Sequence, residues 1–437
     1  MNAPIPAEPV AAAALAERYT AVRAHTLALA APLSEADAQV QSMPDASPAK
    51  WHLAHVTWFF ETFVLERFEP GFRPYEPAFR VLYNSYYNGI GEQYPRPRRG
   101  LISRPSLDAI RAWRADVDAR MVALLAHAPA GVIALVELGL QHEQQHQELL
   151  LTDLLHAFSF NPMSPAYRPL DVAEPAYRTA AEDGAWLDVE GGVVELGHRG
   201  EGFAFDNETP RHTAWLRPYA LAMRPVTQHD WAAFVDDGGY RDPRWWMSAG
   251  WDAVRAQGWV APMHWRRGEA GWRVFTLRGE RPLHAGAPVA HVSWYEADAY
   301  ARWLGAQHPG SAAPRLPTEA EWEHAVAASG PLAFDDGGFA DGAALRPMPP
   351  TGAHSGLRQA FGEVWQWTRS DYAPYPGFRA WEGAVGEYNA KFMAGQYVLR
   401  GASCATPRSH ARTSYRNFFP PDARWQFAGV RLARDLD

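Results

Sequence analysis

A chain of 437 residues suggests two or three domains, at about 150 residues each. Its formal charge of −8 leaves no basic footprint for nucleic acid. One cysteine, Cys404, excludes an intramolecular disulfide framework and any zinc site built from several thiolates. No run is apolar enough to span a bilayer and no signal peptide is evident, so a soluble, cytoplasmic protein is expected. The 19 Trp, 17 Tyr and 20 Phe, set among 35 Gly and 36 Pro, imply loop-rich structure ordered by side-chain packing. The bias is uneven. Before about residue 160 the chain is Ala- and Leu-rich, and after about residue 185 it is rich in Gly, Trp and Arg.

In chain order, residues 11–33 read as an amphipathic helix, with Leu15, Tyr19, Val22, Thr26 and Leu29 along one side. A second helix starts at Ser47-Pro48, read as an N-cap followed by proline at the first helical position, and runs through KWHLAHVTWFFETFVLERF. Trp51, His55, Trp58 and Thr62 share one face of it, and His52, Phe59 and Phe63 a neighbouring one. The segment LYNSYYNGIGEQYPRPRRGLISRPSLD then breaks the pattern with glycine and proline. It carries Tyr83, Tyr86, Tyr87 and Tyr94 beside Arg96, Arg98 and Arg99, and is long enough to cover a site. A third helix opens at Ser106, and a fourth ends near Phe158. Four helices with interior polar side chains describe a bundle, a common host for metal sites.

Proline and the lack of periodicity make 161–185 a connection between a bundle at 1–160 and a second domain at 186–437. That domain shows strand-like runs (WLDVEGGVVELG, HTAWLRPYALAM, YVLRGASC, FAGVRLA) and helices through DWAAFV, EADAYARWLGAQ and EAEWEHAVAA.

The fourth helix holds GLQHEQQHQELL. Leu135, Leu138, His142, His146 and Leu149 fall on one stripe, so two imidazoles point inward among leucines. Buried imidazoles need partners at both ring nitrogens, and either a metal or other core polar groups could serve. His55, inside an aromatic helix, is a candidate third donor. HEQQH also matches H-E-x-x-H, which would make Glu143 the general base of a zinc hydrolase. That class needs a third ligand downstream, whereas His55 lies upstream. Three neutral imidazoles suit a metal that keeps open positions and its full dication charge, attractive to a thiolate or selenolate. Ferrous iron suits such ligands and binds oxygen, nearby tyrosines can supply a proton, and arginines can hold a carboxylate.

The stretches SPAKWHLAHVTWFFETF and LQHEQQHQE closely resemble the N-terminal domain of the ergothioneine sulfoxide synthases. FDNETPRH, RPVTQHDWAAFV, RLPTEAEWEHA, GEVWQWTRSDYAPYPGF and the final RGASCATPRSHARTSYRNFFPPDARWQFAGVRLARD resemble their second domain, which is similar to the formylglycine-generating enzymes. The resemblance spans nearly the whole chain. It implies an α+β protein: a DinB-like four-helix bundle, then a C-type-lectin-like domain of the sulfatase-modifying type, with the active site between them.

By the same resemblance the ligands of Fe(II) are His55, His142 and His146. Gln145 and Asn417 hold the imidazole of hercynine, the betaine of histidine, and Phe418 lies near its trimethylammonium group. Arg96, Arg98 and Arg99 are further substrate-binding candidates. The implied reaction joins a sulfur donor to the imidazole C2 with O2 as co-substrate and oxidation to the sulfoxide. One branch uses a catalytic tyrosine whose counterpart is Tyr388, and another a tyrosine pair in an NSYY loop, here Tyr86 and Tyr87. NSYY is matched letter for letter, so the pair is preferred. Phe419 falls where γ-glutamylcysteine users place an acid, so cysteine is the expected thiol. The loop NGIGEQY differs from cysteine-using relatives, which leaves a selenosugar donor, as in the related selenoneine synthases, equally open. Copper chemistry of the formylglycine-generating type needs a cysteine pair that this chain lacks. A non-catalytic binding protein would leave the histidine-bearing bundle and the NSYY loop without a role.

Overall fold

The structure is a computed structural model that describes residues 9–169, 185–200, 202–269, 271–330, 337–342, 344–350 and 356–436. Most of the connection expected over 161–185 therefore lies outside the described residues. The chain divides into two compact units. The first is Met1–Phe160 together with Trp381–Tyr388, and the second is Asn161–Ala380 with Asn389–Asp437. The short segment Trp381–Tyr388, placed by sequence inside the second domain, thus belongs with the bundle. Among the described residues no helix is long and apolar enough to cross a membrane.

Four long helices, with shorter ones between them, build the first unit: Pro9–Ala30, Ala49–Phe59, Leu107–Leu125 and Val132–Ser159. Ser106 caps the third as read from sequence, its hydroxyl accepting from the Ala109 N–H at 3.2 Å. The second begins one residue later than expected. Pro48 precedes the helix, and Ser47 makes no cap because its hydroxyl accepts from Arg99 at 2.9 Å. This helix continues as a π-helical turn over Phe60–Leu65, which re-aims its aromatic side chains.

The fourth helix packs on the first and second. Leu140 and Leu151 are fully buried, and each contributes about 1.5–3 kcal/mol by leaving water. That exceeds the roughly 1 kcal/mol that a mid-helix glycine costs, so packing can decide Gly139. A Cβ there would lie 2.5 Å from Phe60 Cε1 and 3.0 Å from Phe59 Cε1. Only glycine lets the two rings lie against this helix. Phe59 in turn packs on His142 at 4.8 Å between centroids.

The second unit mixes helices with small sheets. Trp186–Val189, Tyr219–Ala222 and Ala433–Asp435 form one antiparallel sheet, and Gly192–Leu196 pairs with His212–Leu216. HTAWLRPYALAM divides in two because Pro218 has no N–H to donate to a ladder. A four-stranded sheet runs in the order Asn417–Phe419, Tyr397–Gly401, Trp365–Asp371, Ala428–Gly429. The helices Gln228–Asp236, Trp294–Gln307 and Glu319–Ala328 stand where their sequence signals put them, each behind a Ser or Thr capping box. The helix Ser248–Gln257 and the meander Trp265–Gly268, Gly271–Thr276, Gly279–Pro282 were not foreseen. Their strands are half-exposed and crowded with arginine, so period-two alternation is blurred.

Candidate metal centre

On the fourth helix the i, i+4 spacing puts His142 and His146 on one face, and His55 meets them from the second helix. One donor atom from each of the three lies within 4.8 Å of the others. His55 and His142 are buried to within 1% exposure. The His55 Nδ1–H donates to the Tyr83 carbonyl at 2.6 Å, and a carbonyl can only accept. The neutral ring therefore has a bare Nε2, aimed at His142 Nε2 3.2 Å away. His142 Nδ1 has no hydrogen-bond partner among the described residues.

Burial pushes the His142 pKa down to about 3 and holds His55 and His146 well below the ordinary imidazole value. At neutral pH the cluster is three uncharged rings with donor nitrogens close together and an incompletely satisfied His142. This donor set fits a divalent cation.

Aromatic rings lock His55 in place. Trp51 stacks on one face at 4.6 Å and 12°, and Trp58 on the other at 5.5 Å and 17°. The Arg99 guanidinium lies 3.4 Å from the Trp51 ring, in cation–π contact. The three expected arginines do not act as a group. Arg99 is buried and committed to Trp51 and Ser47, Arg96 donates to the Asp45 carbonyl, and Arg98 is exposed.

The NSYY loop is shaped by Asn84, whose amide donates to the Tyr87 carbonyl at 3.0 Å and accepts the Tyr87 N–H at 3.1 Å. Tyr86 and Tyr87 stack at 4.7 Å, and burial raises both phenols well above their ordinary pKa. They are protonated at neutral pH. Tyr388, from the segment Trp381–Tyr388, lies edge-on to His142 at 5.7 Å and 6.2 Å from Tyr86. Tyr87 is held instead against Trp58 and Phe63 at 5.6 and 5.1 Å. The two candidate tyrosine sets are thus one cluster, with Tyr388 the ring on a histidine. Glu387 fastens it, accepting the Asn88 N–H at 3.0 Å and the Gly89 N–H at 2.7 Å. Sequence reading missed Glu387, because nothing local ties it to a loop nearly three hundred residues earlier.

Glu143, the would-be base of a zinc hydrolase, faces away from the imidazoles. Arg23 and Thr26 donate to it at 2.9 and 2.6 Å, and Arg114 pairs with it as well. Burial alone would raise its pKa, but Arg114 and Arg23 reverse this and hold it down to about 2. A carboxylate so engaged cannot take a proton from water at neutral pH.

His52 and Asp153 were also not read as functional. His52 Nδ1 lies 2.9 Å from His146 Nδ1, and its Nε2 lies 3.1 Å from Asp153 Oδ2. Gln145 is half-buried on the fourth helix, immediately before His146. In the second unit, Asn417 opens the strand Asn417–Phe419 and its side-chain oxygen accepts the Phe418 N–H at 2.9 Å. The Phe418 ring stacks on Tyr372 at 4.0 Å and 12°, with Phe392 at 6.0 Å.

A helical bundle that brings three imidazoles together, in one chain with a unit of small sheets, defines a two-domain class of protein. Residues 18–150 match the DinB superfamily, and residues 172–353 and 343–436 match the sulfatase-modifying factor enzyme 1-like domain. A hercynine oxygenase of Mycobacterium tuberculosis is 35% identical over 97% of this chain and 99% of its own. Another from Mycolicibacterium thermoresistibile is 34% identical over 97% and 95%. A formylglycine-generating enzyme of Streptomyces coelicolor is 31% identical over 61% of this chain and 97% of its own. The chain belongs to the hercynine oxygenase family.

Proposed function

We propose that the protein is an O2-dependent, mononuclear non-heme Fe(II) enzyme that joins a sulfur or selenium donor to C2 of the hercynine imidazole. The observation that carries this reading is the convergence of three neutral imidazoles, His55, His142 and His146, in a chain of this family. Bound Fe(II) supplies oxidising chemistry with O2 and a positive centre for an anionic thiolate or selenolate.

The chain's own residues do the rest. Gln145 and Asn417 hold the hercynine imidazole through their amides. Phe418, stacked on Tyr372, offers a broad aromatic face to a trimethylammonium cation, which aromatic quadrupoles attract. Tyr86 and Tyr87, protonated at neutral pH, deliver or relay a proton together with Tyr388, whose ring lies beside His142. With Arg99 committed to Trp51, Arg96 and Arg98 are the arginines left to meet the donor's polar head. Cysteine and a selenosugar are the donors proposed, and the product is at the sulfoxide or selenoxide level.

Offering hercynine and O2 with cysteine, γ-glutamylcysteine and a selenosugar together to Fe(II)-reconstituted protein, and reading the product by mass, decides the donor. No O2-dependent hercynine adduct with any of the three would sink the proposal.

A further inference from the structure

Asp153 follows His146 by two helical turns, so both project from one face of the fourth helix. His52 stands one turn before His55 on the second helix, and between Asp153 and His146 it makes two contacts. Its Nε2 lies 3.1 Å from Asp153 Oδ2, and its Nδ1 lies 2.9 Å from His146 Nδ1. The same Asp153 oxygen accepts the Ser47 N–H at 2.8 Å, which fixes the carboxylate. All five residues belong to the first unit.

The protons along this chain follow from what each end can do. Asp153 Oδ2 already accepts the Ser47 N–H, so at this oxygen His52 is the donor, from Nε2. With its ring proton placed there, His52 turns a bare Nδ1 toward His146, which donates to it from Nδ1. His146 is left with an unprotonated Nε2. The opposite arrangement, with His52 donating from Nδ1, would put the His146 proton on Nε2 among the neighbouring imidazoles. His55 reaches the same tautomer through a different partner, the Tyr83 carbonyl. Both nitrogens of His52 are used, so it is not a fourth ligand.

We infer that Asp153 and His52 form a hydrogen-bonded chain that holds His146 in the metal-binding tautomer and orientation. His52 is a positioning residue, acting on the metal through His146. This rests on the metal-centre reading above. Outer partners of this kind fix ring orientation and raise ligand basicity, and their loss weakens metal binding by about 10–100-fold.

Two measurements test it. Nitrogen-15 imidazole shifts of the metal-free wild-type protein report the tautomer directly, and the expected result is Nδ1–H on His146 and Nε2–H on His52. Nε2–H on His146 overturns the inference. Chelator competition then compares Fe(II) affinity in wild type, His52→Leu and His52→Asn. Leucine fills the space without an acceptor and should weaken binding by about 10–100-fold. Asparagine places its carbonyl oxygen near the Nδ1 position and should recover most of the affinity. If wild type binds no Fe(II), the metal centre and this chain fall together. If wild type binds Fe(II) and His52→Leu binds it as tightly, the chain falls and the centre stands. The tautomer measurement needs no variant, so it decides even if His52→Leu misfolds.

Discussion

The fourth helix has two buried polar faces that differ in kind. On one, Glu143 is a charged carboxylate matched by Arg23, Arg114 and Thr26, while Gln147 donates to Thr26 at 2.9 Å. On the other, His142 and His146 are uncharged, and His142 keeps a nitrogen without a hydrogen-bond partner among the described residues. A buried charge survives only when paired, so the first face holds the bundle together. A buried neutral donor left incompletely satisfied has capacity for a ligand. Adjacent letters of one motif thus divide into structure and chemistry.

The largest effect separates the faces outright. His142→Leu should abolish Fe(II) binding and oxygen-dependent turnover, while its metal-free unfolding stays near wild type, because one uncharged side chain replaces another of similar volume. Metal analysis after anaerobic reconstitution checks it, and a fully loaded variant would break the assignment. Glu143→Gln should do the reverse. It leaves the buried Arg114 without its carboxylate partner and Arg23 with Asp118 alone, and should lose about 3–5 kcal/mol of stability in denaturant titrations. If Glu143→Gln kept wild-type stability and lost activity alone, the hydrolase reading would return.

The tyrosine cluster sharpens the chemical face. Tyr86→Phe and Tyr87→Phe should cut turnover by about 10²–10⁴-fold, the usual range for a positioned acid, with Fe(II) loading kept. Tyr388→Phe belongs in the same series because its ring lies on His142. Equal loss of iron in these variants would make the rings structural instead.

How much of this could be read in advance depends on range. His142 and His146 were legible because a helix puts i and i+4 on one face, and His55 because a histidine among Trp51, Trp58 and Phe59 is conspicuous. Ser106 and the runs DWAAFV, EADAYARWLGAQ and EAEWEHAVAA are local signals, and they placed helices in both units. Glu387 and Asp153 were not legible, since each acts across a tertiary contact that no local pattern encodes. The packing of Arg99 was hidden for the same reason. In sequence it stands beside Arg96 and Arg98, but in space its guanidinium belongs to Trp51. The meander over 265–282 was lost because charged side chains on a half-exposed sheet erase the alternation that identifies a strand.

Packing between the faces gives a smaller effect. Gly139→Ala drives a methyl into the Phe60 and Phe59 rings and should cost about 1–3 kcal/mol, despite alanine's better helix propensity. Because Phe59 packs on His142, weaker Fe(II) binding should accompany the loss of stability. Stability falling without any change in Fe(II) affinity would show that the two faces are mechanically independent.

The smallest effect asks whether the pairing rule of the Glu143 face holds elsewhere. In the second unit, Glu208 is fully buried, accepts from Arg412 Nε at 2.9 Å and from the Ser414 hydroxyl at 2.7 Å, and also accepts the Phe205 N–H. Burial alone would raise its pKa, and Arg412 more than reverses that, leaving it below the ordinary 4.5. A carboxylate depressed in the folded state adds stability that is complete above its unfolded pKa and lost as pH falls through the folded value. Denaturant midpoints of wild type and Glu208→Gln should therefore differ most at neutral pH and converge as pH falls below the ordinary carboxylate value of about 4.3 and on through the depressed folded one. A gap that stayed constant into acid would mean that Glu208 acts by shape and hydrogen bonding, and that its charge contributes nothing.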